Sequence, residues 1–280
     1  VFCHQALTNA GTVLGDVGAD YNTVVGELAM GTGTTTTATW NTAVGYKALT
    51  DVTTGDGCVA VGYDSLTNNT VGQYSTAVGA NALYSETIGD SSTAVGNGAG
   101  YSQVSDSTNE TTGNTMVGLT AGYYNVIGTN NTYVGSKSGF GASGQSNSNN
   151  TAVGSSALLS VTTGAGNVML GHNSGQALTE GERNIAIGKN TLYYASTETD
   201  DNVAIGYDSM AGNFSTAVVN DCIAIGSYTL DGVLTAAASG SIGIGYQALT
   251  ALTSGIGNVA IGYQSQDANV TGDYNTSVGY

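Results

Sequence analysis

A five-residue motif that ends in glycine recurs along the chain and constrains its fold more than any other feature. The motif is Asn-Thr-Ala-Val-Gly or a close variant, and eight of the fourteen intervals between its glycines are 17 residues. The other intervals run from 18 to 22 residues, and a degenerate copy with Cys3 in the place of the glycine opens the chain. Repeats of this length stack on their neighbours, because one unit is too short to bury a core by itself. The motif glycines, called anchor glycines below and expected at turns, are Gly26, Gly45, Gly62, Gly79, Gly96, Gly118, Gly135, Gly154, Gly171, Gly188, Gly206, Gly226, Gly245, Gly262 and Gly279.

The columns of the repeat have the pattern of short β-strands. The residue before each anchor glycine is always aliphatic, and the residue two positions further back is always β-branched. Alternation of this kind, ended by glycine, predicts a strand followed by a tight turn. A second glycine seven residues before the next anchor, as at Gly55, predicts another corner in each 17-residue unit. Proline is absent, which agrees with strands that donate their N–H groups to neighbours.

These features predict an all-β fold, a parallel β-solenoid (β-roll) of about 16 coils with 17–22 residues per coil. Since no linker interrupts the repeats, we expect residues 1–280 to form a single solenoid domain and to be a segment of a longer repetitive fibre. Valine and isoleucine before the anchor glycine are expected to fill the interior. Asparagine four residues before the anchor is expected to form an amide ladder between coils, in which Cys58 and Cys222 are ordinary small replacements. The ladder residues are Asn22, Asn41, Asn114, Asn131, Asn150, Asn167, Asn184, Asn202, Asn258 and Asn275.

Side chains alternate along a strand, so the alanine between the β-branched and the aliphatic column is expected to point away from the interior, to the outer face of the coil. A solvent-facing column is expected to be polar and varied, so a column of alanine indicates that another backbone approaches closely there. Drift within a recently duplicated repeat is the alternative explanation. Tyrosines that follow several anchor glycines form a second possible contact stripe, unless their rings only cover the turns. The predicted contact residues are Ala43, Ala60, Ala77, Ala94, Ala152, Ala186, Ala204, Ala224, Ala260, Tyr46, Tyr63, Tyr207, Tyr246 and Tyr263.

The pentads at 41–45, 184–188 and 258–262, each followed three places later by a small residue, resemble the head repeats of trimeric autotransporter adhesins. The longer form, Ala-Val-Gly-Tyr-x-Ala-Leu followed by Thr-Thr-Gly, is similar to repeats in phage tail fibres and other surface fibres. The resemblance spans essentially all of the chain, and it implies a trimeric parallel β-roll in an extracellular or virion fibre. The adhesin coils are shorter than the unit of 17 or more residues found here.

Composition excludes most other functions. The net charge is −16 with four basic residues, so the chain lacks the clustered Lys and Arg that bind nucleic acid. No run of 18 apolar residues is present, so we expect no membrane insertion. His4 and His172 lie about ten coils apart and no spacing supports a nucleophilic triad, so we expect no enzyme activity. Acidic residues cluster at 106–110 and 198–201, which predicts solvated loops and no cofactor, with weak calcium binding as the one alternative.

The sequence therefore predicts a structural or adhesive fibre, extracellular or on the surface of a cell or virion, built from copies of this chain as a homotrimer or filament. A surface glycan or a cell receptor is a further partner to consider. An ice- or crystal-binding solenoid is the alternative, and it requires a solvent-facing threonine column. Threonine instead occupies a strand column expected to point inward, mostly in the N-terminal half. A glycan-cleaving solenoid enzyme is a third candidate.

Overall fold

The computed structural model describes residues 21–31, 37–105, 111–195, 199–213, 218–235 and 238–280. In these ranges the protein is all-β, with fifteen strands of three residues, and the expected first coil around Cys3 lies outside them. The strands are β1 (Thr23–Val25), β2 (Thr42–Val44), β3 (Val59–Val61), β4 (Thr76–Val78), β5 (Thr93–Val95), β6 (Thr115–Val117), β7 (Thr132–Val134), β8 (Thr151–Val153), β9 (Val168–Leu170), β10 (Ile185–Ile187), β11 (Val203–Ile205), β12 (Ile223–Ile225), β13 (Ile242–Ile244), β14 (Val259–Ile261) and β15 (Thr276–Val278).

The chain divides into two compact units. The first unit runs to Lys137 and includes Ser143–Ser146, and the second comprises Ser138–Ala142 and Asn147–Tyr280. In the first unit β1 to β7 pair consecutively in parallel, and in the second unit β8 to β15 do the same. Equivalent positions of successive repeats stand opposite one another in every one of these pairs. The predicted parallel β-solenoid is confirmed, with about 14 turns in the described residues.

The alanine column, expected outside the coil, lies inside it. All nine alanines are fully buried, whereas the strand residues on either side of them are half-buried or exposed. Val153, Ile187 and Ile261, which precede anchor glycines, are 39%, 36% and 37% exposed, so the expectation that this column fills the interior is wrong. The expected outer contact face of alanine is wrong for the same reason, and it comprised Ala43, Ala60, Ala77, Ala94, Ala152, Ala186, Ala204, Ala224 and Ala260.

The width of the coil explains why alanine is inside. The fourth residue after the anchor glycine is buried in the same core in nearly every described coil, and it is leucine in half of them, as at Leu66. Where the strand instead supplies Met116 or Met169, the fourth residue is Gly122 or Gly175. A Cβ added at these two glycines would lie 2.5 and 2.6 Å from the respective methionine Sδ. Most coils therefore hold one large and one small side chain, as close packing requires. Ala94 and Gly100 of one coil are both small, and there a Cβ added at Gly100 would lie 2.9 Å from Leu83 and Met116 of the neighbouring coils.

The segment after each anchor glycine forms backbone hydrogen bonds in both directions along the stack. The amide of Lys47 donates to the carbonyl of Glu27 in the preceding coil, and the amide of Leu49 donates to Ser65 in the following coil, both at 3.0 Å. Lys47 and Leu49 have φ of 54° and 53°, a left-handed conformation that costs a side-chain-bearing residue about 1–2 kcal/mol. The hydrogen bonds and the burial of Leu49 offset that cost in each coil.

The two glycine columns are required for different reasons. The anchor Gly62 has φ of 139°, and an added Cβ would lie 2.5 Å from the carbonyl oxygen of Gly79 in the next coil. Gly55, in the second column, has no positive φ, but its Cβ would lie 2.6 Å from the carbonyl oxygen of Gly72. Anchor glycines such as Gly62 thus serve both the turn and the stacking of coils, whereas Gly55 serves the stacking alone.

Candidate functional site on the outward strand face

The outward strand face consists of the first and third residues of every strand. Its first column is Thr23, Thr42, Val59, Thr76, Thr93, Thr115 and Thr132 in the first unit, and Thr151, Val168, Ile185, Val203, Ile223, Ile242, Val259 and Thr276 in the second. Its third column is Val25, Val44, Val61, Val78, Val95, Val117 and Val134 in the first unit, and Val153, Leu170, Ile187, Ile205, Ile225, Ile244, Ile261 and Val278 in the second. Neither column of the described strands contains a charged residue.

Large aliphatic side chains on this face stay accessible in the single chain. Ile185, Ile187, Ile225 and Ile261 are 36–38% exposed. Parallel sheets occur almost only with both of their faces covered. The core covers the inner face here, and the described residues leave the outward face open. The outward strand face is therefore the first candidate for an interaction surface.

The predicted ladder asparagines lie inside the coil and connect each strand to the opposite corner. The Nδ2 of Asn167 donates to the carbonyl of Gly181 at 2.8 Å, and its Oδ1 accepts the backbone N–H of Asn184 at 3.0 Å. The Nδ2 of Asn184 also donates to the Oδ1 of Asn167 at 3.1 Å. Asn22 and Asn275, near the ends of the described coils, are the least buried members. These bonds satisfy polar groups in the core, so the ladder holds coils together and offers no ligand site.

Cys58 and Cys222 occupy the ladder column and replace one of its hydrogen bonds. The Sγ of Cys58 lies 3.3 Å from the carbonyl oxygen of Gly72, and the Sγ of Cys222 lies 3.4 Å from that of Ala238. Burial raises the pKa of both thiols to about 11. Both stay protonated at neutral pH, which makes them poor nucleophiles.

The tyrosines that follow anchor glycines pack on neighbouring coils and also reach solvent. The rings of Tyr46 and Tyr63 stack at 5.5 Å between centroids, and those of Tyr246 and Tyr263 stack at 5.2 Å. Tyr207 meets Tyr228 edge to face at 5.3 Å. The five predicted contact tyrosines remain 38–54% exposed. They cover the turns and still present amphipathic contact area.

The acidic segments expected as loops are only partly described, since 106–110 and Glu198 lie outside the described residues, as does His4. The guanidinium of Arg183 holds Asp201 at 2.7 and 2.9 Å and lowers the pKa of that carboxyl. The pair is exposed, so it contributes little to stability. In the described ranges, no group of three or more His, Cys, Asp or Glu side chains is placed to hold a metal ion. The same ranges contain no helix with the length and hydropathy to cross a membrane.

The outward orientation of the threonine and isoleucine columns was missed by sequence reasoning, although a signal for it exists. Met116 with Gly122 and Met169 with Gly175 vary in size together, which identifies two positions that share one core. No family model and no curated protein sequence matches the chain. The fold and the open face define a β-solenoid repeat protein with one uncovered strand surface.

Proposed function

We propose that the chain is a structural fibre protein of an extracellular, cell or virion surface, and that its copies associate through the outward strand face. The observation that carries this proposal is the exposure of two aliphatic columns on a parallel sheet in the second unit. The resemblance of the pentads to adhesin-head and tail-fibre repeats supports the same function and location.

A second copy of this chain is the partner that the face suits best. Chains with a net charge of −16 repel one another wherever charged surfaces meet. The outward strand face carries no charge, so two copies can approach there without that cost. Identical subunits around a rotation axis present the same strip to one another. Three copies is the number that the resemblance to trimeric adhesins implies.

Sedimentation velocity of the purified chain tests the association. We expect an oligomer, and we expect the double variant Ile187→Glu with Ile205→Glu to sediment as a monomer, because each carboxylate would be buried against a partner at a cost of several kcal/mol. Ser155→Glu, at an exposed turn position, is the control and should remain oligomeric. A wild-type chain that is monomeric at high concentration, or a double variant that still associates, would refute the proposal.

Ice or crystal binding is a second candidate, and the orientation of the threonine column favours it. Six of the seven first-column residues in the first unit are threonine, and they face outward beside an unbroken valine column. Successive strands place these hydroxyls and methyls in a row with a spacing of about 4.8 Å. A regular array of this kind is the surface that such a function requires.

Thermal hysteresis of the chain tests this second candidate. We expect Thr93→Lys with Thr115→Lys to abolish any thermal hysteresis, the gap between the freezing and melting points, because the long charged side chains would interrupt the threonine row. A matched change in the second unit, Ile223→Lys with Ile242→Lys, should leave the gap in place. A wild-type chain that shows no hysteresis and no inhibition of ice recrystallisation removes the candidate.

A further inference from the structure

A groove in the second unit lies apart from the two strand columns and has no role in association through them. It has a volume of about 500 Å³ and is formed by residues that follow four consecutive anchor glycines, Gly171 to Gly226. His172 and Lys189, directly after their anchors, contribute to its lining. Four coils span three steps of about 4.8 Å, so the groove runs about 14 Å along the stack. We call it the turn groove.

A row of polar side chains lines the turn groove. The Nδ2 of Asn173 donates to the Oδ1 of Asn190 at 3.3 Å, and the Nδ2 of Asn190 donates to the Oδ1 of Asp208 at 2.9 Å. The backbones of Asn190 and Asp208 are held to the preceding coil by hydrogen bonds of 3.0 and 3.1 Å. Each amide uses one of its two N–H donors in this row. The row is thus preorganised and keeps hydrogen-bonding capacity for a ligand.

Two tyrosines provide aromatic surface in the same groove. Tyr193 and Tyr194 meet edge to face, with ring centroids 4.4 Å apart and an interplanar angle of 80°. The edge-to-face contact fixes the two rings relative to each other. Tyr194 is 48% exposed, so ring surface remains available to a bound molecule.

The charges of the lining disfavour a strongly ionic ligand. One ammonium group, on Lys189, accompanies two carboxyl groups, on Asp208 and Asp231. Burial, followed by the charge of Asp208, raises the pKa of Asp231 to about 6. Polyanions would meet two carboxylates, and cations would meet the lysine. A neutral ligand rich in hydroxyl groups suits planar amide and carboxylate acceptors beside an aromatic ring.

We propose that the turn groove binds a neutral oligosaccharide, with sugar hydroxyls bonded to Asn173, Asn190 and Asp208 and one sugar ring against Tyr194. This binding function goes beyond association of the chains and does not depend on it. It supplies the fibre with a site that recognises glycan, located on the turns rather than on the strands.

Isothermal titration with four neutral probes, cellohexaose, maltohexaose, chitohexaose and mannohexaose, tests the proposal, with a heparin hexasaccharide as the anionic probe. We expect at least one neutral probe to bind and the heparin fragment not to bind. Tyr194→Ala should weaken binding about fivefold, because an aromatic contact contributes about 1 kcal/mol. Tyr274→Ala removes another exposed tyrosine of the second unit and should bind as the wild type does.

A conservative variant distinguishes a loss of binding from a loss of fold. Asp208→Asn keeps the shape of the row but removes a charged acceptor, and it should also weaken binding about tenfold. Circular dichroism and sedimentation are recorded for every variant, so a loss of binding is separated from a loss of fold or of association. Absence of binding by all neutral probes, tighter binding of the heparin fragment, or unchanged binding by both groove variants would overturn the proposal.

Discussion

The two units share one kind of coil but differ in the face that they turn outward. In the first unit the first column is threonine in six of seven strands, and the third column is valine throughout. In the second unit threonine remains in two of eight strands, and isoleucine fills five of the eight third-column positions. Buried alanine, leucine or methionine, and asparagine recur in both units. The coil is therefore specified by its interior, and the two outward columns are free to serve different functions.

Anchor-glycine variants should have the largest effect and should affect both units alike. Gly62→Ala in the first unit and Gly206→Ala in the second combine a φ of 139° or 133° with a clash against the next coil, so each should cost about 3 kcal/mol or more. Gly144→Ala and Gly240→Ala are the controls, because an added Cβ there meets nothing within 4 Å and only the conformational cost of about 1–2 kcal/mol applies. Urea unfolding measures the four free energies. Equal losses in anchor and control variants would refute the stacking explanation.

Exchange of large and small residues in the core should have the next largest effect on the free energy of unfolding. Ala60→Met overfills the coil and Leu66→Gly empties it, and each alone should cost about 2–4 kcal/mol. Together they reproduce the pairing of Met116 with Gly122, so the double variant should cost less than the sum by about 1–3 kcal/mol. Combining Ala60→Met with Leu192→Gly in the other unit should give no such recovery. Additive losses within one coil would contradict a shared core.

The ladder column, which holds serine at Ser75, should show a difference between its asparagine and serine positions. Asn167→Ala leaves the carbonyl of Gly181 and the amide of Asn184 without their partners, at a cost of about 1–3 kcal/mol. Ser75→Ala, in the first unit, removes a single longer bond of 3.3 Å to the amide of Ser92 and should cost about 1 kcal/mol or less. Unfolding and amide hydrogen exchange report both losses. A serine variant as damaging as the asparagine variant would show that the extra hydrogen bonds of asparagine add no stability.

Changes on the outward strand face should affect association and leave folding almost unchanged. Threonine in place of three second-unit isoleucines should weaken self-association, and isoleucine in place of three first-unit threonines should strengthen it. The free energy of unfolding of the isolated chain should change by about 0.5 kcal/mol per substitution or less, because the face is open. Concentration-dependent sedimentation measures the change. The variants are Ile185→Thr, Ile223→Thr and Ile242→Thr, and Thr76→Ile, Thr93→Ile and Thr115→Ile.

If both triple variants associate as the wild type does, the contrast between the two faces has no bearing on assembly. The three first-unit substitutions also remove much of the threonine row. They therefore separate ice binding from association, since the former should decrease while the latter increases.

The smallest effect on stability should be the pH dependence that arises from Asp231 in the second unit. The pKa of Asp231 is raised from 3.8 to about 6 in the folded chain, so the native state binds this proton more tightly than the unfolded state. Stability should therefore fall as pH rises from about 4 to about 6, and Asp231→Asn should remove that part of the slope. Asp201 acts with the opposite sign at lower pH, because its pKa is lowered by Arg183 and its contribution is lost below 3.8. A slope between pH 4 and 6 that is unchanged in Asp231→Asn would refute this assignment.

Periodicity allowed most of the fold to be predicted. Strand positions, parallel register and the corners at Gly62 and Gly55 follow from columns that repeat at a nearly constant interval, because each coil makes the same contacts as the previous one. The ladder position of Asn167 is visible for the same reason. Alternation along a strand separates two faces, but it does not say which face the chain encloses. Assigning the larger side chains to the core, as is usual in globular proteins, gave the wrong answer for Ala60 and Ile187.

The turn groove could not be predicted at all. Asn173, Asn190 and Asp208 hold equivalent positions after three anchors, but Asp231 comes from a later position in its own coil. Tyr193 and Tyr194 likewise lie beyond the repeated motif. Residues from different columns meet only once the turns between strands have a shape, and those turns vary from coil to coil in length and sequence.

The sequence by itself determined the period of the chain and therefore a stack of parallel coils, because one 17-residue unit has no other way to bury its apolar residues. It also determined where backbones approach too closely for a Cβ. Only the tertiary structure decided which face of the strands is enclosed, since that depends on the distance to the segment after the anchor glycine. At that distance the interior accepts alanine opposite leucine, and the remaining threonine, valine and isoleucine columns are left outside as the open surface of the protein.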